Sequence, residues 1–308
     1  MPRRIFWLLL SMVAAGPAWA ADGKILINHD RALAGGVSVG DSAGYPVTIS
    51  QSGHYLLTGN LTQPDANTHV IEITTDRVML HLGGHSILGS AFCSVDVNSR
   101  ITGCTGGGTG SGIVATGSLI TIRNGLINGM GNRAIDMSVG EGFTIREVAI
   151  SHSGGDGIVL GGVSFFFDSA IGRNGGSGIR IGDGARLINT TASSNGGGGL
   201  VGGVGITVQN GGFSANIVDG ISVGNAAFID SATVFANLAS GIEVALTSKV
   251  TNSLIVTNAG TGLLFTGAAV GTSGYAGNVV NFNTTAQVSG ADGIELGTNI
   301  CGVDTTCP

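Results

Sequence analysis

Tryptophan, lysine and charge are all scarce in this 308-residue chain. Charged residues make up 10% of it, and Lys24 and Lys249 are its only lysines. With a formal net charge of −6, such a chain is a poor general partner for nucleic acid or an anionic membrane surface. It suits a strongly anionic polymer only where arginines are grouped locally. Both tryptophans, Trp7 and Trp19, fall in the first twenty residues, and the only tyrosines are Tyr45, Tyr55 and Tyr275. Sugar rings are gripped on flat aromatic faces, so this shortage weighs against strong glycan binding. After residue 20 no unbroken apolar run is long enough to cross a bilayer, and no transmembrane segment is expected.

The first twenty residues have the grammar of a secretory signal peptide. Arg3 and Arg4 give a positive start, an apolar run of modest length follows, and Ala18-Trp19-Ala20 is a small-x-small cleavage site. The mature chain then begins at Ala21 and is exported, to the periplasm or beyond. Losing two arginines makes it more acidic. The four cysteines form two close pairs, Cys93 with Cys104 and Cys301 with Cys307. Disulfides persist outside the cytosol, so two local disulfides are expected. The competing reading, a zinc site, has the wrong spacings and no histidine near either pair. No metal or other cofactor is expected.

Glycine, by contrast, is abundant, at 56 residues. It is placed with a period. Ile113, Ile135, Ile158, Ile179, Leu200, Ile221, Ile242 and Leu263 each follow Gly, or Ala once, in steps of 21 to 23 residues. Gly293-Ile294 reads as a ninth copy and Ile71 as one lying two periods before Ile113. Two further apolar columns run in step, one through Ile122 and Ile145, the other through Ile127 and Ile150. Each period thus holds three short apolar segments separated by turn residues. They are too short for helices, and glycine every few residues weakens a helix further. One such repeat cannot bury its own apolar side, whereas stacked repeats bury a continuous core. The fold class is therefore all-β: a right-handed parallel solenoid of about ten coils, three short strands to a coil.

The polar residues share the period. Asn174, Asn195, Asn216, Asn237 and Asn258 recur every 21 residues and are assigned to a structural amide ladder, at a turn whose left-handed backbone asparagine tolerates. Asn124, Glu147, Asp168, Asn189, Asn210, Ser231 and Asn252 form a second structural column. One domain is expected over residues 21–308. Residues 44–70 cap its start, 71–294 form the coils, and 295–308 close it behind Cys301 and Cys307. Residues 90–111 and 268–292 read as excursions from the coil.

Taken together, the Gly-Ile anchors, VTISQSGHYLLTGNLT at 47–62, VMLHLGGHSILG at 78–89 and CGVDTTCP at 301–308 resemble the right-handed parallel β-helix family with the pectin-lyase-like fold. The likeness is to bacterial exported proteins built of pectate-lyase-type repeats and covers roughly residues 44–308. It implies this fold, and a range of functions from polysaccharide lyases, hydrolases and epimerases to tailspikes and adhesins. The signatures expected of pectate lyases, polygalacturonases and mannuronan epimerases are absent from the sequence. Fold alone does not choose among these activities.

Candidate chemistry is concentrated in one region. Arg133 and Asp156 occupy equivalent positions in adjacent coils, Asp136 and Arg180 share a column two coils apart, and His152 sits on the turn before Asp156. As a catalytic set, a histidine or carboxylate would take a proton while an arginine steadied a carboxylate-bearing sugar. The plainer reading is a solvated ladder of ion pairs. Asp219 and Glu243, on adjacent coils, could form a carboxyl pair of glycosidase type. The residues after each anchor isoleucine are mostly small or apolar, which suits an interaction surface better than a catalytic groove. The main expectation is a non-catalytic envelope or extracellular protein presenting a repetitive surface to a polysaccharide or cell-surface partner. A polysaccharide lyase or epimerase is the alternative. The oligomeric state stays open.

Overall fold

The computed structural model describes residues 23–268, 271–302 and 307; the proposed signal peptide lies outside them. The chain winds into about twelve right-handed coils of parallel β-structure rather than ten. Three sheets run along the axis. Strands such as Ile179–Ile181, Arg186–Ile188 and Thr191–Ser193 supply one rung to the first, second and third sheet in turn. Each pairs in parallel with its equivalent one period later, as Ile179 with Leu200, Leu187 with Val208 and Ala192 with Phe213. The three apolar columns point inward and are almost wholly buried, from Ile113 and Ile122 through to Ile242, Val250 and Ile255.

The glycine before each anchor has a steric cause. A Cβ on Gly241 would lie 2.6–2.7 Å from Ile255 Cγ2, Asn258 Nδ2 and the Gly262 carbonyl of the next coil. Gly157, Gly178 and Gly220 meet the same trio of neighbours, with Asn174, Asn195 and Asn237 supplying the amide. The one exception, Ala134, occurs where Ser153 replaces the asparagine. A smaller side chain at the turn leaves room for a methyl group.

The asparagine ladder is present and fully buried. Asn174 donates from its backbone N and its Nδ2 to Asn195 Oδ1, at 3.2 and 3.0 Å. The motif repeats through Asn216, Asn237 and Asn258 to Asn283. Gln287 Oε1 closes it by accepting from Asn283 Nδ2 at 3.0 Å. The left-handed backbone falls one residue earlier than expected, on Arg173, Ser194, Ala215, Ala236 and Thr257. It is the second column, from Asn124 and Glu147 to Asn252, that takes positive φ, between 49° and 56°. Those residues turn the chain between the second and third sheets.

Four details of the coil count are corrected by the pairing. Ile71 bonds directly to the strand of Ile113, so they are one coil apart; the extra residues form the hairpin of Phe92–Val95 and Ile101–Thr105. Val47–Ile49 pairs with Ile71–Ile73, so residues 44–70 already belong to the stack. The end of the core is instead covered by Ile25–Ile27 and the helix His29–Ala34, whose Asn28 cap accepts from Arg31 N at 2.9 Å. Val288 rather than Ile294 continues the anchor column after Leu263. Ile294 pairs with Gly274 on the second sheet and is 43% exposed. Within 268–292, Ser273–Ala276 and Val279–Asn281 are ordinary rungs of a longer coil. Disulfides join Cys93 to Cys104 and Cys301 to Cys307.

Candidate functional site

Alternation along each first-sheet strand turns the residue after the anchor outward. Asp136, Val159 and Arg180 are thereby register partners on three successive rungs. Arg133 and Asp156 lie at the preceding turns. Arg133 Nη1 reaches Asp136 Oδ2 at 2.6 Å, and its Nε lies 3.8 Å from Asp156 Oδ2. Arg180 Nε meets the same Asp156 oxygen at 3.4 Å. The other Asp156 oxygen accepts from Ser177 N at 2.7 Å, and Asp136 Oδ1 from Ser138 N at 3.3 Å. Four of the five candidate residues are thus one ladder in which two guanidiniums balance two carboxylates. The register shift between Met137 and Glu141 matches the bulge that the two extra residues of this coil predict.

His152 is not part of that ladder. It closes a third-sheet strand, with a left-handed φ of 59°, while Asp156 opens the next first-sheet strand. The hairpin packs onto the turn between them: Cys93 Sγ lies 3.4 Å from the Ser153 carbonyl. Phe92 of the hairpin stacks on the imidazole, with ring centroids 4.8 Å apart and planes at 14°. Asn128 Nδ2 donates to His152 Nδ1 at 3.2 Å, which places the neutral ring's proton on Nε2. Burial, and then the positive charge of Arg173, hold the His152 pKa below its ordinary value. The ring borders an open groove of about 330 Å³ on the third sheet, lined also by Ser151, Ala170, Arg173, Thr191 and Ser193. Phe92, Asn128 and Arg173 escaped the sequence reading, because the repeat carries no mark of where an excursion folds back.

Asp219 sits at the turn position of Asp156, four coils along a different stretch of neighbours. Its Oδ1 accepts from Ser240 N at 2.7 Å. Burial raises its pKa, and burial followed by the charge of Asp219 raises that of Glu243. These two carboxyls lack the guanidiniums that hold Asp136 and Asp156. Among the described residues no group of His, Cys, Asp and Glu could hold a metal ion, and no helix is long and apolar enough to cross a membrane.

The family model described as a right handed beta helix region matches residues 133–284. The chain is a right-handed β-helix protein. Among solved structures, this β-helix is similar to the A-module of the mannuronan C-5 epimerase AlgE4 of Azotobacter vinelandii. The TM-score is 0.56 at 14% identity, over 83% of this chain and 91% of that one. A variant of the periplasmic alginate epimerase AlgG gives 0.53 at 12% identity, over 90% and 84%. Likeness at such identity is likeness of fold. No curated protein matches the β-helix in sequence.

Proposed function

We propose that this chain is an exported β-helix that binds a glycan and does not cleave it. The observation carrying this reading is the self-neutralised ladder on the first sheet. A carboxylate held by a guanidinium is a weak proton acceptor, and an arginine already paired has less charge to offer a sugar carboxylate. Around the ladder the outward column is Val114, Val159, Val201, Ser222 and Leu264. That surface is flat, and the hairpin wall stands on the third-sheet side of the turn instead of over it.

The test is an assay of unsaturated and reducing ends with the mature protein on uronate-containing and neutral polysaccharides, beside polymer co-sedimentation. Co-sedimentation without new chain ends is the expected result. Turnover that is lost in a His152→Ala, Asp156→Ala double variant would overturn it and place an active site. One observation favours a second reading. The Asp219–Glu243 pair can keep a proton near neutrality, as a general acid must. Turnover abolished by Glu243→Gln and untouched by the double variant selects that reading.

A further inference from the structure

The second sheet carries outside what the first lacks. Its strands run in register from Thr121–Asn128 to Lys249–Thr251, and two residues of each point outward. These columns bring together Arg123, Arg146, Phe165, Phe167, Arg186 and Lys249. Four of the chain's thirteen lysines and arginines therefore share one sheet face, against one outward acid, Asp230. This is a local grouping of cations that the acidic composition conceals.

Most of that charge is uncommitted. Among the described residues, Arg123, Arg186 and Lys249 take part in no ion pair. Arg186 Nη2 donates to a neutral partner, Gln209 Oε1, at 2.6 Å. Arg146 meets Glu147 and Asp168 at 3.1 and 4.0 Å, both at the exposed corner, where such pairs contribute little. Arg123 Nε and His81 Nδ1, register neighbours at the start of the patch, are buried atoms with no hydrogen-bond partner among the described residues. A buried donor without a partner is costly, and an incoming acceptor would remove that cost.

The aromatics lie between the cations. Phe165 and Phe167 leave the same strand on the same side, their rings parallel to within 1° and 6.4 Å apart. Arg146 is the register partner of Phe167, and Arg186 that of Phe165. Each ring therefore has a guanidinium on an adjacent strand, about 4.8 Å away along the axis. From the rung of Arg123 to that of Lys249 is six steps, roughly 29 Å at this spacing. An aromatic face suits the C–H side of a sugar ring, and the planar guanidinium suits a carboxylate.

We propose that this face of the second sheet is the docking surface for an acidic polysaccharide strand lying along the solenoid axis. Its carboxylates meet Arg123, Arg146, Arg186 and Lys249, and its sugar rings lie against Phe165 and Phe167. The assignment rests on the glycan-binding reading above and names its face and its charge class.

The experiment is titration of labelled polygalacturonate oligomers with the mature protein at low and high salt. A neutral glucan and a single-stranded oligonucleotide are run beside them. Binding that weakens with salt and excludes the glucan is expected. Arg146→Gln with Arg186→Gln should weaken it about tenfold or more, and Phe165→Ser should weaken it at unchanged salt dependence. Arg77→Gln, a charge control at a distant turn, should not. These side chains are exposed or half-exposed, so superimposable melting curves are expected and separate loss of contact from loss of fold. Binding unmoved by the second-sheet variants but lost in Arg180→Gln would overturn this face and leave glycan binding standing. Absence of binding to any polysaccharide would sink both. An oligonucleotide bound as tightly as the uronate, through the same residues, would overturn the choice of ligand.

Discussion

A few individual residues in this β-helix are under tension with their surroundings, and Glu243 is the clearest. Its carboxyl is pushed up by burial and by the neighbouring charge of Asp219. A raised pKa means that the folded state holds the proton more tightly than the unfolded chain does. The associated stability is complete below the ordinary carboxylate range, falls as pH rises from that range to the raised value, and stays lost above it. Glu243→Gln removes both the buried charge and its repulsion of Asp219. Its melting temperature should match wild type near pH 3.5 and exceed it by about 1–2 °C at pH 7.5, which thermal melts at the two pH values would check. A variant less stable than wild type at pH 7.5 would mean that the carboxylate has a partner worth more than its burial costs. His152 is tuned in the opposite sense. The Phe92 stack and Arg173 both favour its neutral form.

At the scale of the element, the asparagine turn holds the coils in register. Asn216 accepts from the backbone N and Nδ2 of Asn195, and its own Nδ2 donates to Ala192 O and Asn237 Oδ1. Every partner is buried. Asn216→Ala strands two donors of Asn195 and one carbonyl where water does not reach. A cost of about 3 kcal/mol follows from typical penalties for unmet buried groups, to be read from denaturant unfolding. A loss under 1 kcal/mol would show that water fills the gap. The glycine before each anchor belongs to this element, since the amide occupies the space its side chain would need. The hairpin is an element of another kind. It interrupts the repeat, is stapled by Cys93–Cys104, and walls only the third-sheet groove.

The whole molecule is a stack in which each coil touches its two neighbours. Stability in such a rod is approximately a sum of local terms. Removing one complete period should therefore leave a shorter rod. Deleting 200–220 joins Gly199 to Ile221 and brings Asn195 onto Asn237, so the anchor column and the ladder both stay continuous. We expect this variant to fold, with unchanged β circular dichroism and a lower melting temperature. Deleting 200–209 instead breaks all three columns and should leave no cooperative transition. Equal behaviour of the two deletions would contradict nearest-neighbour stacking. The same architecture gives the molecule three long faces of different character. The first is bland apart from its ion-pair ladder, the second cationic and aromatic, and the third grooved beside the hairpin.

Periodicity determined the fold from the sequence alone. Side chains that recur every 21 residues must stack if each coil is to bury its apolar side, and this holds whatever the ends do. Ile135, Ile158 and Ile179, and the amides from Asn174 to Asn258, were legible for that reason, as was the contact of Arg133 with Asp156. Where the period breaks, the sequence misleads. Ile71 and Ile113 looked two coils apart because a hairpin had been inserted, and Gly293-Ile294 copied the anchor motif on the wrong sheet. Only tertiary structure separated His152 from Asp156, because a turn of three intervening residues carries the chain from one sheet to the next. It alone gathered Arg123, Arg146, Phe165, Phe167, Arg186 and Lys249, which span more than a hundred residues. Sequence spacing gives each residue its column, but a shared function depends on which columns face the same way, and the path of the turns decides that.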